Sequence, residues 1–256
     1  MFGHDTFCDL AGAEINRLAD AIRRVDPALP VPTCGTWTVT DLARHTGVVH
    51  RWAGGLVTDL VQRYRGASGY YDWDPDATPA AHAEWLAAAD KLLLAPLRDT
   101  DPDLPMWAWG ADQHVRFWSR RMTHETGVHR ADAELALGIT PEFAPAVAVD
   151  GVSEFLANLP GARRWQPTID LLRGDGETIR LSAVDSPDEW TITRRPGFPE
   201  WSRHEPAEGP PADVTVRAGA VDLYLMMWGR YACTDPRFDV TGDRELLEHW
   251  QRNSAV

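Results

Sequence analysis

Cysteine is scarce: Cys8, Cys34 and Cys233 are the only three in a chain of 256 residues, and no two stand in a C-x-x-C spacing. Neither a disulfide framework nor a cysteine zinc knuckle is expected on that ground. The three are read as ordinary reduced thiols, since no motif marks any of them as a nucleophile. Long apolar runs are missing too. None approaches the ~20 residues that a membrane-spanning helix needs, although a 44% hydrophobic composition is ample for a core. The first ten residues, MFGHDTFCDL, have no basic stretch followed by an apolar one, so no secretory leader is read and a cytoplasmic protein is expected. Positive charge is in short supply. Lys91 is the sole lysine, the other basic residues are arginines, and the net charge is -13. So acidic a chain repels nucleic acid and anionic membranes, and neither is expected as a partner.

What is present reads as an α+β chain in two parts. Up to about residue 160 the apolar spacing is helical. Phe7, Leu10, Ala11, Ile15, Leu18 and Ile22 recur as one face of a first helix. A Pro- and Gly-rich loop follows. Thr38 and Asp41 then form a capping-box signal for a second helix, and Thr78-Pro79 opens a third, PAAHAEWLAAADKLLLAPL. A fourth helix is expected from about 113 to 137 with Gly138 as its stop, and VAVDGVSEFLANL makes a shorter fifth. From 161 to 256 the period changes to two. TIRLSAV, EWTITRR and ADVTVRA alternate as strands do, AVDLYLMMWGRY is an apolar helix, FDVTG a short strand and DRELLEHWQRN a closing helix. RPGFPEWSRHEPAEGPP reads as loop. The expectation is a helical bundle over 1–160 followed by a small α+β domain over 161–256.

The chemistry sits in the bundle. HETGVH, His124 to His129, is not the H-E-x-x-H zinc signature, because its second histidine comes too late. Glu125 and His129 are nevertheless at i and i+4, so their side chains reach one point. They share a helix face with Trp118, Met122, Asp132 and Ala136, while His124 turns off it. On the second helix Leu42, His45, Val49, Trp52 and Leu56 fall within roughly a quarter of the circumference. That places His45 on the face expected to enter the bundle and turns His50 well away. A buried carboxylate and two imidazoles need partners. One reading is an ion pair and a satisfied core histidine. The other is a divalent metal held by His45, Glu125 and His129, with a fourth position open and Asp132 accepting a ligand N–H from behind. Spacing alone leaves both open. Arg44, Arg51 and Arg130 turn off the ligand face and are expected at the surface.

Two segments resemble a known family. VPTCGTWTVTDLARHTGVVHRWA, Val31 to Ala53, and HETGVHRADAELALG, His124 to Gly138, are similar to the two N-terminal motifs of the mycothiol-dependent maleylpyruvate isomerases. These belong to the DinB/YfiT-like metal-binding four-helix bundles. ADVTVRAGAVDLYLMMWGR and FDVTGDRELLEHW resemble that family's C-terminal domain, of the sterol-carrier (SCP2-like) kind. The resemblance covers nearly the whole chain. It implies that His45, Glu125 and His129 are zinc ligands and that the cofactor is mycothiol, the small thiol of actinobacteria. It implies an isomerase or S-transferase in which a metal-bound thiol ionises and attacks a small electrophile, possibly anionic. For maleylpyruvate, addition, rotation about the resulting single bond and elimination would give the trans isomer. An anionic substrate needs a cation. Arg230, which follows Gly229 at the end of the apolar helix, is the candidate; its alternative reading is a surface arginine favourable to a helix C-terminus. Gly229 is read as allowing close backbone approach. Two other functions stay open: an apolar-ligand binding protein with a structural metal, and a hydrolase using zinc-bound water.

Overall fold

The computed structural model describes residues 2–69, 72–206 and 211–255, and the chain is α+β. It divides into two compact units, Met1–Pro141 and Glu142–Val256.

The first unit is helical. α1 (His4–Arg23) packs on α5 (Val115–Ala136) and on α3 (Pro79–Ala87), and α2 (Val39–Thr58) packs on α5. Thr38 caps α2 with the full reciprocal box. Its hydroxyl accepts from Asp41 N at 3.3 Å, and Asp41 Oδ2 accepts from Thr38 N at 3.0 Å, a cap that contributes about 1 kcal/mol. Thr78 Oγ1 caps α3 with a single bond, accepting from Ala81 N at 3.2 Å, with Pro79 in the first turn. The third helix is not continuous to residue 97. It breaks into a π-helical turn, Asp90–Leu94, before α4 (Ala95–Asp99). Pro96 has no N–H to offer the Leu92 carbonyl four residues back, so the α-helical ladder cannot run through. That carbonyl lies against α2, where Gly54 makes room: a Cβ there would stand 1.7 Å from Leu92 O.

Arg51 and Arg130, expected at the surface, are buried; Arg44 is exposed. Arg51 stacks on Trp85, 3.6 Å from the ring centre, and pairs with Asp72 at 3.1 Å. Arg130 is fully buried, paired with Glu14 at 2.6 Å and with Glu134, which ties α5 to α1. Helical spacing gave the faces of these arginines but not the number of neighbours: α2 and α5 are covered on more than one side.

The second unit begins at Glu142, and α6 (Pro145–Ala162) packs within it on α7 (Ala220–Met227). Sequence reading grouped α6 with the bundle and set the boundary at 160. In the structure α6 is tied to its own unit, for example by Trp190 Nε1 donating to Ser153 Oγ at 2.9 Å and by Phe155 against Trp228. The sheet runs β3 (Glu200–His204), β2 (Glu189–Thr193), β1 (Thr178–Ala183), β4 (Val214–Ala218), β5 (Asp239–Gly242) in spatial order. β1 and β4 are parallel, with Ile179 opposite Val214 and Leu181 opposite Val216; the other pairs are antiparallel. β3 falls where a loop was expected. It is polar, short and exposed along most of its length, so it carries no apolar alternation, and pairing with β2 alone makes it a strand. Residues 207–210 of that loop-like segment lie outside the described residues. α8 (Arg244–Ser254) closes the chain, capped by Asp243.

α5 and α7 end alike. Gly138 and Gly229 are left-handed, and the next residue's N–H bonds back to the third-last helical carbonyl, Ile139 to Glu134 O and Arg230 to Leu225 O, each at 2.8 Å. Gly229 is therefore needed for its positive φ; a Cβ on it would meet nothing within 4 Å, so close approach is not its reason.

Candidate metal centre

α2 and α5 bring His45, Glu125, His129 and Asp132 together. Glu125 Oε1 lies 3.3 Å from His45 Nε2 and 3.3 Å from His129 Nε2, and the two imidazole ring centres are 4.9 Å apart. His129 Nδ1 stands 2.9 Å from Asp132 Oδ2. A carboxylate only accepts, so Nδ1 carries the proton and Nε2 faces Glu125. In a neutral ring that sets a lone pair against the carboxylate, and a cation must lie between them: a proton on Nε2, or a metal. At 3.3 Å both contacts are long for N–H···O bonds. They match the roughly 3.3 Å that separates neighbouring ligand atoms around a four-coordinate ion with bonds of about 2.0–2.1 Å. These residues fit a divalent metal.

Glu125 spends its other oxygen on Arg121 Nη2 at 3.3 Å, which leaves Oε1 alone for the histidines. Arg121 is 2% exposed and was missed from sequence, although its i,i+4 spacing to Glu125 is a signal that was there to be used. Trp37 lies over the site, its ring 4.8 Å from His45 and 6.2 Å from His129. It stands in a tight loop closed by Cys34 N to Val31 O at 3.0 Å and Val31 N to Trp37 O at 2.9 Å. The same loop sends Thr33 Oγ1 to Asp132 Oδ1 at 2.5 Å and Cys34 Sγ to Asp132 Oδ2 at 3.3 Å. No sequence pattern marks either contact.

Burial opposes the charge on Glu125, but hydrogen bonds from His129 and His45 and the charges of His129 and Arg121 hold its carboxyl well below the usual carboxylate range. Burial also opposes a charged His129, yet Asp132, Cys34 and Glu125 hold it well above the ordinary imidazole value. Without metal the pair is therefore ionised, and a metal entering there would have to displace the His129 proton. Asp132→Asn removes the acceptor that fixes the ring, and should weaken metal binding by about 10–100-fold in a chelator competition. An unchanged affinity would show that His129 is oriented without it.

The helix-face expectation needs one correction. The face of α2 that is most buried runs through Thr46, His50, Ala53 and Val57, and the His45 side chain is 37% exposed at its margin. His50, expected to point away, is fully buried, with Nε2 2.9 Å from Thr126 Oγ1 on α5. α5 and the segment after α3 cover α2 from two sides, which shifts the stripe. A position at the margin leaves His45 open to a ligand from solvent. Burial pushes the His50 pKa down to about 3. The sign of its linkage follows. The unfolded chain binds this proton below about pH 6.5 and the folded chain does not, so stability is lost as pH falls from there toward 3. Glu125 works in the same direction, and His129, with its raised value, in the opposite one. His50→Gln should flatten the fall in urea midpoint between about pH 6.5 and 4.5; equal slopes in both proteins would contradict this.

His124 is buried but faces Phe7 on α1, ring centres 6.4 Å apart, outside the cluster. Arg230 belongs to the second unit, where its Nη1 donates to Trp228 O at 2.6 Å. Burial raises the Cys8 thiol to about 11 and also raises Cys233, so neither is a ready nucleophile at neutral pH.

Comparison with known proteins adds the following. Residues 8–134 match the family model described as the mycothiol maleylpyruvate isomerase N-terminal domain, and residues 146–249 match the C-terminal domain model of the same family. Among solved structures, the chain is similar to the mycothiol-dependent maleylpyruvate isomerase at a TM-score of 0.61 and 14% identity, covering 94% of this chain and 93% of that one. A histidine-to-alanine mutant of such an isomerase superposes with the same TM-score of 0.61 at 13% identity and the same coverage of 94% and 93%. At such identities the likeness shows a shared fold. No curated protein matches the chain by sequence.

Proposed function

The chain belongs to the mycothiol maleylpyruvate isomerase family, and from that premise we propose that it is a zinc-dependent enzyme whose nucleophile is mycothiol and whose substrate is a small electrophile. The observation that carries this reading is the meeting of two imidazole Nε2 atoms on one oxygen of Glu125, each at 3.3 Å. Two nitrogens and one carboxylate oxygen suit zinc, and three protein ligands leave a position for a thiol. The ion, when bound, supplies a Lewis acid at which a thiol gives up its proton near neutral pH.

The chain's own residues do the rest. His45, Glu125 and His129 hold the ion. Asp132 keeps the His129 proton on Nδ1 and so keeps Nε2 available. Arg121 holds Glu125 to a single donor oxygen. Partial exposure of His45 admits the thiol. For a carboxylate substrate we propose Arg230 as the binding cation. Arg230→Ala should then raise KM for carboxylate substrates by roughly tenfold or more and leave neutral ones near wild type, since a charge-assisted hydrogen bond is worth about 1.5–3 kcal/mol; equal effects on both would rule the role out.

The deciding assay is turnover of maleylpyruvate and a panel of other electrophiles by zinc-loaded protein with and without mycothiol. Activity that needs both zinc and thiol supports the reading. Activity indifferent to thiol moves a hydrolase using zinc-bound water ahead of it.

A further inference from the structure

Cys34 is not among the proposed zinc ligands, yet it lies against Asp132 on the Nδ1 side of one of them, His129. We propose that Cys34 Sγ, His129 Nδ1 and Asp132 Oδ2 form a second cation site, selective for thiophilic ions, set back to back with the first and sharing the His129 ring.

The three donor atoms all lie within 4.8 Å of one another. Sγ is 3.3 Å and Nδ1 is 2.9 Å from Oδ2. Around a four-coordinate ion, with a metal–sulfur bond of about 2.3 Å and the others about 2.0–2.1 Å, such atoms stand about 3.3–3.6 Å apart. Bringing Sγ and Nδ1 out to those separations from Oδ2 takes movements of a few tenths of an ångström. Two protons now converge on Oδ2, the S–H of Cys34 and the Nδ1–H of His129. Those are the protons that a divalent ion displaces to solvent, and no electron is transferred. Thr33 donates to the other oxygen, Oδ1, at 2.5 Å, and keeps that bond when Oδ2 turns ligand. Asp132 is fully buried while Cys34 is partly exposed, so the site has an anchored base and an open side.

The donor types set the selectivity. The first cluster offers nitrogen and oxygen only. The second adds a thiolate, which favours soft ions such as cadmium over magnesium or manganese. Among the described residues Cys8, whose Sγ lies 3.6 Å from His4 Nε2, belongs to no such group of three. Filling the Cys34 site also removes the Nδ1–H···Oδ2 bond that orients His129 toward the first ion. A thiophilic ion should therefore disable the first site from behind. The inference needs only these side chains and stands whether or not mycothiol is the cofactor.

The test is titration of the metal-free, full-length protein with cadmium ion alone, following the ultraviolet charge-transfer band of a cadmium–thiolate bond. Cadmium in the first cluster produces no such band. The expected result is a band that saturates at a single thiolate per chain, persists in Cys8→Ser and in Cys233→Ser, and is absent from Cys34→Ser. Asp132→Asn, with Cys34 intact, should move the midpoint up by about tenfold or more. This second variant reads the site even where Cys34→Ser does not fold. No band in the wild type, a band that survives Cys34→Ser, or an unmoved midpoint in Asp132→Asn would each overturn the proposal.

Discussion

Replacing His45 with alanine should take the bound metal from about one ion per chain to none after gel filtration, and turnover should go with it. The reason is geometric. Of the three proposed ligands His45 alone comes from α2, and its Nε2 makes one of the two 3.3 Å contacts to Glu125 Oε1. Without it, Glu125 and His129 are two donors one turn apart on a single helix, too few to retain a structural or catalytic zinc against dilution. His124→Ala is the matched control. That ring packs on Phe7 and stands outside the cluster, so the variant should keep its full complement of metal. Equal loss in both variants would mean that the ion sits elsewhere. Glu125→Gln should be nearly as severe as His45→Ala. It removes the only charged ligand and leaves buried Arg121 facing a neutral amide, so part of any loss would be read as stability; thermal melting of the metal-free variant separates the two effects.

The second large effect concerns the thiol. Zinc-loaded protein without mycothiol should turn over no electrophile above background, and mycothiol should restore activity. The triple variant Cys8→Ser, Cys34→Ser, Cys233→Ser should stay within about tenfold of wild type, because in the proposed reaction the nucleophile comes from the cofactor. Burial places the Cys8 thiol at about 11 and raises Cys233, which leaves both protonated at neutral pH. Cys34 touches Asp132, so a modest change in metal affinity is expected from its loss. Full activity without added thiol would instead point to zinc-bound water. Loss of all activity in a folded, zinc-loaded triple variant would return the nucleophile to the chain.

Much of this molecule is legible from sequence because its signals are local. The capping box at Thr38, Pro79 at the start of α3, Gly138 at the end of α5 and the alternation in β1, β2 and β4 each depend on a few neighbouring residues. The pairing of Glu125 with His129 is local as well, being one turn of helix. What was not legible depends on contacts between elements. β3 is a strand only because β2 lies beside it. The π turn at Asp90–Leu94 follows from Pro96 together with the space left by Gly54 on another helix. Arg51 and Arg130 look like surface residues on a helical wheel and are buried by Trp85 and Glu14, from other helices. In the candidate site, helical faces singled out His45, Glu125, His129 and Asp132. They gave no hint of Trp37, Thr33 or Cys34, which arrive on an irregular loop. The exchange of burial between His45 and His50 has the same origin: a wheel gives angles about one helix, not which angles its neighbours occupy.

The most direct measurement is zinc-edge X-ray absorption on the full-length protein loaded with a single equivalent of zinc, recorded before and after mycothiol is added. The proposed ligands predict a first shell of nitrogen and oxygen alone at about 2.0–2.1 Å, which gains one sulfur neighbour at about 2.3 Å on addition of the thiol. Sulfur in the shell before any thiol is present would place the ion on Cys34 rather than on His45 and Glu125. A shell unchanged by mycothiol, under conditions where the protein turns over its substrate, would contradict thiol activation at the metal.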